Sequence, residues 1–205
     1  GGTMLPIPKK FFVTSGKAVS KGSDLNAFYT ALLDSGLSEQ NLVSVSSVMP
    51  IGIRPAKRRE LPMGAITHCV LAPQRGGEGE MISAGICWGS RDDGMGGYVA
   101  EGHMHGTARA LREVLEWKIG EMAKLRGVKF RKLEYKIEEL SIPMDHYGAC
   151  LAALVFLVAV DTHVSRQVLA CEVTEYAVGE DPRAFGVGGR EDHRTPRRRR
   201  LRPIE

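Results

Sequence analysis

Apolar residues recur along this chain with two periods, and the switches between them outline the fold. Phe11-Phe12-Val13 predicts a short strand over Lys10–Thr14, followed by a loop of Gly, Ser and Lys. Leu25, Phe28, Tyr29, Leu32 and Leu33 then recur at helical spacing, with Ser23 or Asp24 as N-cap and Gly36 as the stop. A second strand, Leu42–Ser46, ends in the pair Ser46-Ser47, and residues 51–60 are polar and basic, a loop. Ile66–Ala72 and Met81–Trp88 read as strands joined by the glycine-rich Arg75–Gly79, which predicts a hairpin with a long loop. Arg91-Asp92-Asp93-Gly94 is turn chemistry, and Tyr98-Val99-Ala100-Glu101 is a short strand ending in a carboxylate.

The longest helix follows. Thr107 can cap it, Leu111, Val114, Leu115, Ile119, Met122 and Leu125 mark its apolar side, and Gly127 ends it. In Lys132–Glu138, Leu133, Tyr135 and Ile137 alternate with charged residues, as in a strand with one wet face. Gly148–Val160 is apolar throughout and predicts a strand buried on both faces. Two helices and about seven strands in mixed order imply an α+β fold, with antiparallel sheet covered by helices.

Composition changes this picture at the C-terminus. Residues 1–160 form the globular part, whereas 161–205 are read as an extension. One more strand is possible there at Val168–Ala177, and Gly179–Glu205 is a Gly-, Pro- and Arg-rich tail expected to be solvated. The net charge of +4 over 205 residues gives no reason to expect a nucleic-acid partner. No apolar run reaches membrane-spanning length and no secretory leader is legible. Cys69, Cys87, Cys150 and Cys171 are dispersed without metal-ligand spacing, which fits reduced thiols in a cytoplasmic protein.

The candidate chemistry is sparse. His103 and His105 alternate and can face one way, with His68 as a third histidine, but no committed third ligand accompanies them and no metal is expected. Residues 75–79 lack the lysine and hydroxyl of a phosphate loop. What remains is Ser47, with Asn41 before it and Glu101 after it. A serine hydroxyl can attack the carbonyl of the residue preceding it, converting amide to ester.

Here the chain resembles the pyruvoyl-dependent arginine decarboxylases. The resemblance lies in Leu25-Asn26-Ala27-Phe28 with Ala31-Leu32-Leu33, in Asn41-Leu42 through Ser46-Ser47-Val48-Met49-Pro50, and in Leu61-Pro62-Met63-Gly64-Ala65. It continues through Ile82-Ser83-Ala84, Gly85-Ile86-Cys87-Trp88-Gly89, Glu101 and Arg126-Gly127, covering about residues 9–160.

The resemblance implies an αββα sandwich of mainly antiparallel sheets, made as a proenzyme that cuts itself between Ser46 and Ser47. Ser47 would become a covalent pyruvoyl group, the only cofactor, which forms a Schiff base with an amino-acid substrate and accepts electrons as CO2 leaves. Asn41 would assist cleavage by hydrogen-bonding the oxyanion, Ser46 would carry the new carboxylate, and Glu101 would return a proton to Cα. Tyr29, Leu32, Leu33 and Val48 would contact substrate. Active sites would lie between subunits of a homotrimer or dimer of trimers, making agmatine for polyamine synthesis.

One departure bears on the substrate. The family carries an acidic residue right after Ala-Phe to pair with the guanidinium, and here that position is Tyr29. Losing a charge-assisted contact costs on the order of 1.5–3 kcal/mol. Two alternatives therefore stand beside the arginine reading: a pyruvoyl decarboxylase with another substrate, and an unprocessed, non-catalytic interaction protein.

Overall fold

The computed structural model describes residues 6–158. The possible strand at Val168–Ala177, Cys171 and the arginine-rich tail lie outside the described residues. The elements run β1 (Lys10–Ser20), α1 (Asp24–Ser35), β2 (Asn41–Ser44), β3 (Val48–Met49), β4 (Arg54–Pro55), β5 (Ile66–Gly76), β6 (Met81–Arg91), β7 (Gly97–His105), α2 (Ala108–Arg126), β8 (Phe130–Ser141) and β9 (Tyr147–Leu157). They form a five-stranded sheet in the order β2-β5-β9-β1-β4 and a four-stranded sheet in the order β3-β7-β6-β8.

Strand β9 shows why the sheets stack. Its period of two sends Ala149, Leu151, Ala153 and Val155 against α1, with Ala27, Ala31 and Leu32. It sends Cys150, Ala152, Leu154 and Phe156 between the sheets, onto Ile82, Ala84 and Ile86 of β6. On the far side of the second sheet, Leu111, Leu115 and Ile119 of α2 cover Cys87 and Ala100. The layers are therefore helix, sheet, sheet, helix, as the αββα expectation requires. Cutting Leu115, which is fully buried, back to alanine would cost about 2–5 kcal/mol.

Ser23 and Thr107 cap the two helices through their hydroxyls, and the helices stop at Gly36 and Gly127. The apolar side of α1 differs from the expected one. Leu32 faces the core, but Leu25, Tyr29 and Leu33 form an exposed stripe at intervals of four. The packed face is made instead of Ala27 and Ala31, because Gly16 of β1 lets the helix come close. A Cβ on Gly16 would strike the Ala31 carbonyl oxygen. On α2, Val114 and Leu125 are likewise exposed rather than part of the apolar face.

Two further expectations are corrected. The Gly-Ser-Lys loop after Thr14 is strand, because β1 pairs with β9 without interruption from Lys10↔Leu157 to Ser20↔Tyr147. Strands β5 and β6 are not a hairpin, since β5 pairs with β2 and β9 while β6 pairs with β7 and β8. The 75–79 segment carries the chain from one sheet to the other, pinned by the Gly77 N–H donating to Glu80 Oε2 at 2.6 Å.

Candidate active site

The serine pair occupies a crossing between sheets. Strand β2 ends at Ser44, two residues sooner than the expected Leu42–Ser46, and the Val45 N–H still donates to the Cys69 carbonyl at 3.0 Å. Two residues on, the Ser47 carbonyl accepts the Val99 N–H at 2.9 Å, and Val48 pairs with Tyr98. The peptide bond between Ser46 and Ser47 thus joins a segment anchored to the five-stranded sheet to one anchored to the four-stranded sheet. Breaking it would leave both ends held by their own ladders.

The two serines also face different cavities. Ser47 lines one of about 280 Å³ together with Ala100, Glu101, Trp117, Lys118, Glu121 and Met122. Ser46 lines another of about 240 Å³, with Val45, Val48, Pro50, His68 and Phe156 on its walls. Val48 therefore borders the Ser46 cavity, not the one that Ser47 shares with Glu101.

Glu101 comes to Ser47 because β3 is only two residues long. Past Tyr98 the outer edge of β7 has no further strand among the described residues, so Glu101 is exposed at an open edge. The Lys118 ammonium crosses from α2 and donates to the Glu101 main-chain carbonyl at 2.8 Å. Glu121, one turn further along the helix, pairs with Lys124 at 2.6 Å. The wall thus presents an ammonium, a carboxylate and an indole, that of Trp117, which is 66% exposed.

The other expected residues lie elsewhere. Asn41 stands at the opposite end of β2, on the order of 15 Å of extended chain from Ser46. Its side-chain amide donates to the Gly64 carbonyl at 2.9 Å, and its N–H donates to Ala65. Gly64 turns the chain there with φ of 75°, a conformation that suits glycine. Tyr29 and Leu33 are 58% and 60% exposed on α1, and Leu32 is buried beneath the helix. None of the three lines the cavity of its own Ser47.

The histidines do not converge. His103 Nδ1 and His105 Nε2 meet the two ends of the Gln74 amide at 2.7 and 3.1 Å, while His68 lines the cavity beside Ser46. Sequence reasoning missed Trp117, Lys118 and Glu121, which periodicity assigns to the flank of a surface helix, and read Met122 only as part of the apolar side of α2. An exposed tryptophan on that flank was the available signal.

The Ser46-Ser47 peptide bond is thus held on both sides, and Ser47 opens toward a carboxylate on a neighbouring strand. Comparison with known proteins gives the family. The family model described as pyruvoyl-dependent arginine decarboxylase matches residues 10–161. A pyruvoyl-dependent arginine decarboxylase of Methanopyrus kandleri is 32% identical over 150 residues, 73% of this chain and 97% of the relative. That of Methanothermobacter thermautotrophicus is 31% identical over 152 residues, 74% of this chain and 98% of the relative. That of Methanococcoides burtonii is 40% identical over 165 aligned residues, 71% of this chain and 89% of the relative. The chain belongs to the pyruvoyl-dependent arginine decarboxylase family, whose covalent cofactor is a pyruvoyl group.

Proposed function

We propose that this chain cleaves itself between Ser46 and Ser47, that residue 47 becomes the pyruvoyl group, and that the mature protein decarboxylates arginine to agmatine and CO2. The observation that carries this reading is the placement of the serine pair. The bond to be broken bridges two independently anchored strands, and the residue that would carry the cofactor shares a cavity with Glu101. A hydroxyl-bearing residue at this crossing fits the group the family requires.

A pyruvoyl ketone supplies an acceptor for the substrate amine and for the electrons left when CO2 departs. The chain's own residues do the rest. Glu101 holds a proton and delivers it to Cα, a task that suits a carboxyl bordering the same cavity. Lys118 fixes the open edge of β7 at Glu101. Trp117 walls the cavity on the α2 side, and the β2 ladder retains Ser46 with its new carboxylate.

Tyr29, Leu33 and Asn41 do not reach the Ser47 cavity of their own chain. Their roles in substrate contact and cleavage therefore require a second copy, in keeping with a homotrimer or dimer of trimers in the cytoplasm. Leu32, buried under α1, acts on substrate only by supporting its neighbours. No helix among the described residues is long and apolar enough to cross a membrane.

The test is direct. Purified protein should run as two fragments, 1–46 and 47–205, the larger with a blocked N-terminus, and should release agmatine from arginine. Ser47→Ala should stay one chain. An uncut wild type without a borohydride-sensitive carbonyl would refute the reading. A second substrate remains in play because of one residue: Tyr29 stands where the family places an acid. Turnover of lysine, ornithine and citrulline beside arginine decides it.

A further inference from the structure

The carbonyl at the proposed break carries a hydrogen bond that the family resemblance did not foretell. The Val48 N–H donates to the Ser46 carbonyl oxygen at 3.0 Å, closing a three-residue turn around Ser47. Three donors nearby in the chain or expected at this carbonyl are occupied elsewhere. The Val45 N–H is given to Cys69 and the Val99 N–H to Ser47, while the Asn41 amide is given to Gly64. Val48 can spare its N–H because hydrogen bonds alternate along an antiparallel pair, and the Ser47–Val99 bond takes the adjacent position.

We infer that the Val48 backbone N–H is an oxyanion donor for self-cleavage, the one the chain supplies from its own main chain. The inference rests on the self-cleavage proposed above. In the first step the Ser47 Oγ forms a bond to the Ser46 carbonyl carbon, and the Ser46 oxygen takes up negative charge. The C–N bond between residues 46 and 47 then breaks, and the hydroxyl proton ends on the Ser47 nitrogen, leaving an ester and a free amine. A donor already on that oxygen strengthens as charge develops and needs no reorganisation. The turn serves geometry as well. It bends the chain at Ser47, the residue whose hydroxyl must approach the carbonyl before it, while the two ladders hold the flanks. Within one chain, then, the donor is the main chain two residues downstream, while the chain's own Asn41 amide is held on the Gly64 carbonyl and is left to act on a second copy.

The experiment deletes only this N–H. Val48 is replaced by its α-hydroxy acid analogue, which keeps the side chain and substitutes an ester for the amide. Scission of freshly made precursor is followed on denaturing gels beside wild type and Asn41→Ala. Removing an oxyanion donor should slow scission by about 10²–10³-fold. Val48→Pro, which also lacks the N–H, should slow it comparably, with thermal melting confirming that the variant folds. Scission of the hydroxy-acid protein within about threefold of wild type overturns the inference, whatever the rate of Asn41→Ala. A wild type that never cleaves refutes instead the self-processing reading on which the inference stands.

Discussion

Glu101 and Lys118 are joined by a 2.8 Å hydrogen bond from the Lys118 ammonium to the Glu101 main-chain carbonyl. The contact ties the open edge of β7 to α2 at the point where β3 has ended. A hydrogen bond of this kind is worth about 1 kcal/mol net, or roughly a fivefold change in an equilibrium or rate. Lys118→Met should therefore lower kcat by about that factor while chain scission proceeds. Steady-state kinetics check it, and an unchanged kcat would make the contact incidental to turnover.

Glu101 itself is predicted to separate the two reactions of this protein. Glu101→Gln preserves shape and removes the transferable proton. The variant should still cut between Ser46 and Ser47, yet decarboxylate about 10²–10⁴-fold more slowly. Gel analysis and CO2 release measured on one preparation distinguish these effects. Equal loss of both would assign Glu101 to processing rather than to turnover.

Substrate preference should respond to two carboxylate positions. Glu121 lines the Ser47 cavity near Trp117, and its present partner, Lys124, is an exposed neighbour three residues away. Such surface pairs are worth about 0–1 kcal/mol, so a substrate cation displaces Lys124 at little cost. Glu121→Gln should raise the KM for arginine roughly tenfold or more, by loss of a charge-assisted bond, and leave that for neutral citrulline unchanged. Tyr29→Asp, restoring the family's acid on α1, should lower the KM for arginine. If neither variant alters the ratio of arginine to citrulline turnover, the cation is read elsewhere.

The layer of α1 on β1 gives a stability prediction. Gly16→Ala would drive a methyl into the Ala31 carbonyl, a backbone atom that cannot swing aside. Overpacking of this kind costs about 1–3 kcal/mol. The urea midpoint should fall accordingly, and an unaffected midpoint would show that α1 can ride outward.

Gly16 also shows where the sequence was hard to read. Its polar neighbours Ser15 and Lys17 suggested a loop, but their partner β9 is buried on both faces and imposes a strand on whatever lies beside it. The helices, their caps and the doubly buried β9 were legible because each follows from local periodicity and local hydrogen bonding. The β5–β6 connection was not, because pairing within a sheet and crossing between sheets demand the same alternation of residues. For the site, Ser47 and Glu101 were legible as a pair, whereas the partners of Asn41 and the α2 wall depend on tertiary contacts. Asn41 reaches Gly64, 23 residues away, through a turn that only the folded chain brings beside it.

The buried thiols set a limit on stability at alkaline pH. Burial pushes Cys69 and Cys87 up to about 11 and Cys150 up to about 12, from an ordinary value of 9.0. The folded state thus holds three protons that the unfolded chain releases sooner. Their contribution is fully present below pH 9, and stability declines as pH climbs from 9 toward 11 and 12, because the unfolded state there binds fewer protons than the native one. Cys150 lies between the sheets, so its loss also opens a cavity, and absolute stability is a poor readout. The difference in slope is the sound one. Urea midpoints at pH 7.5, 9 and 10.5 should fall more steeply for wild type than for Cys150→Ala. Native protein should also react slowly with iodoacetamide at Cys69, Cys87 and Cys150 over that range, since thiolate is the reactive form. Rapid alkylation of these three at pH 9 in folded protein, or parallel slopes, would overturn the prediction.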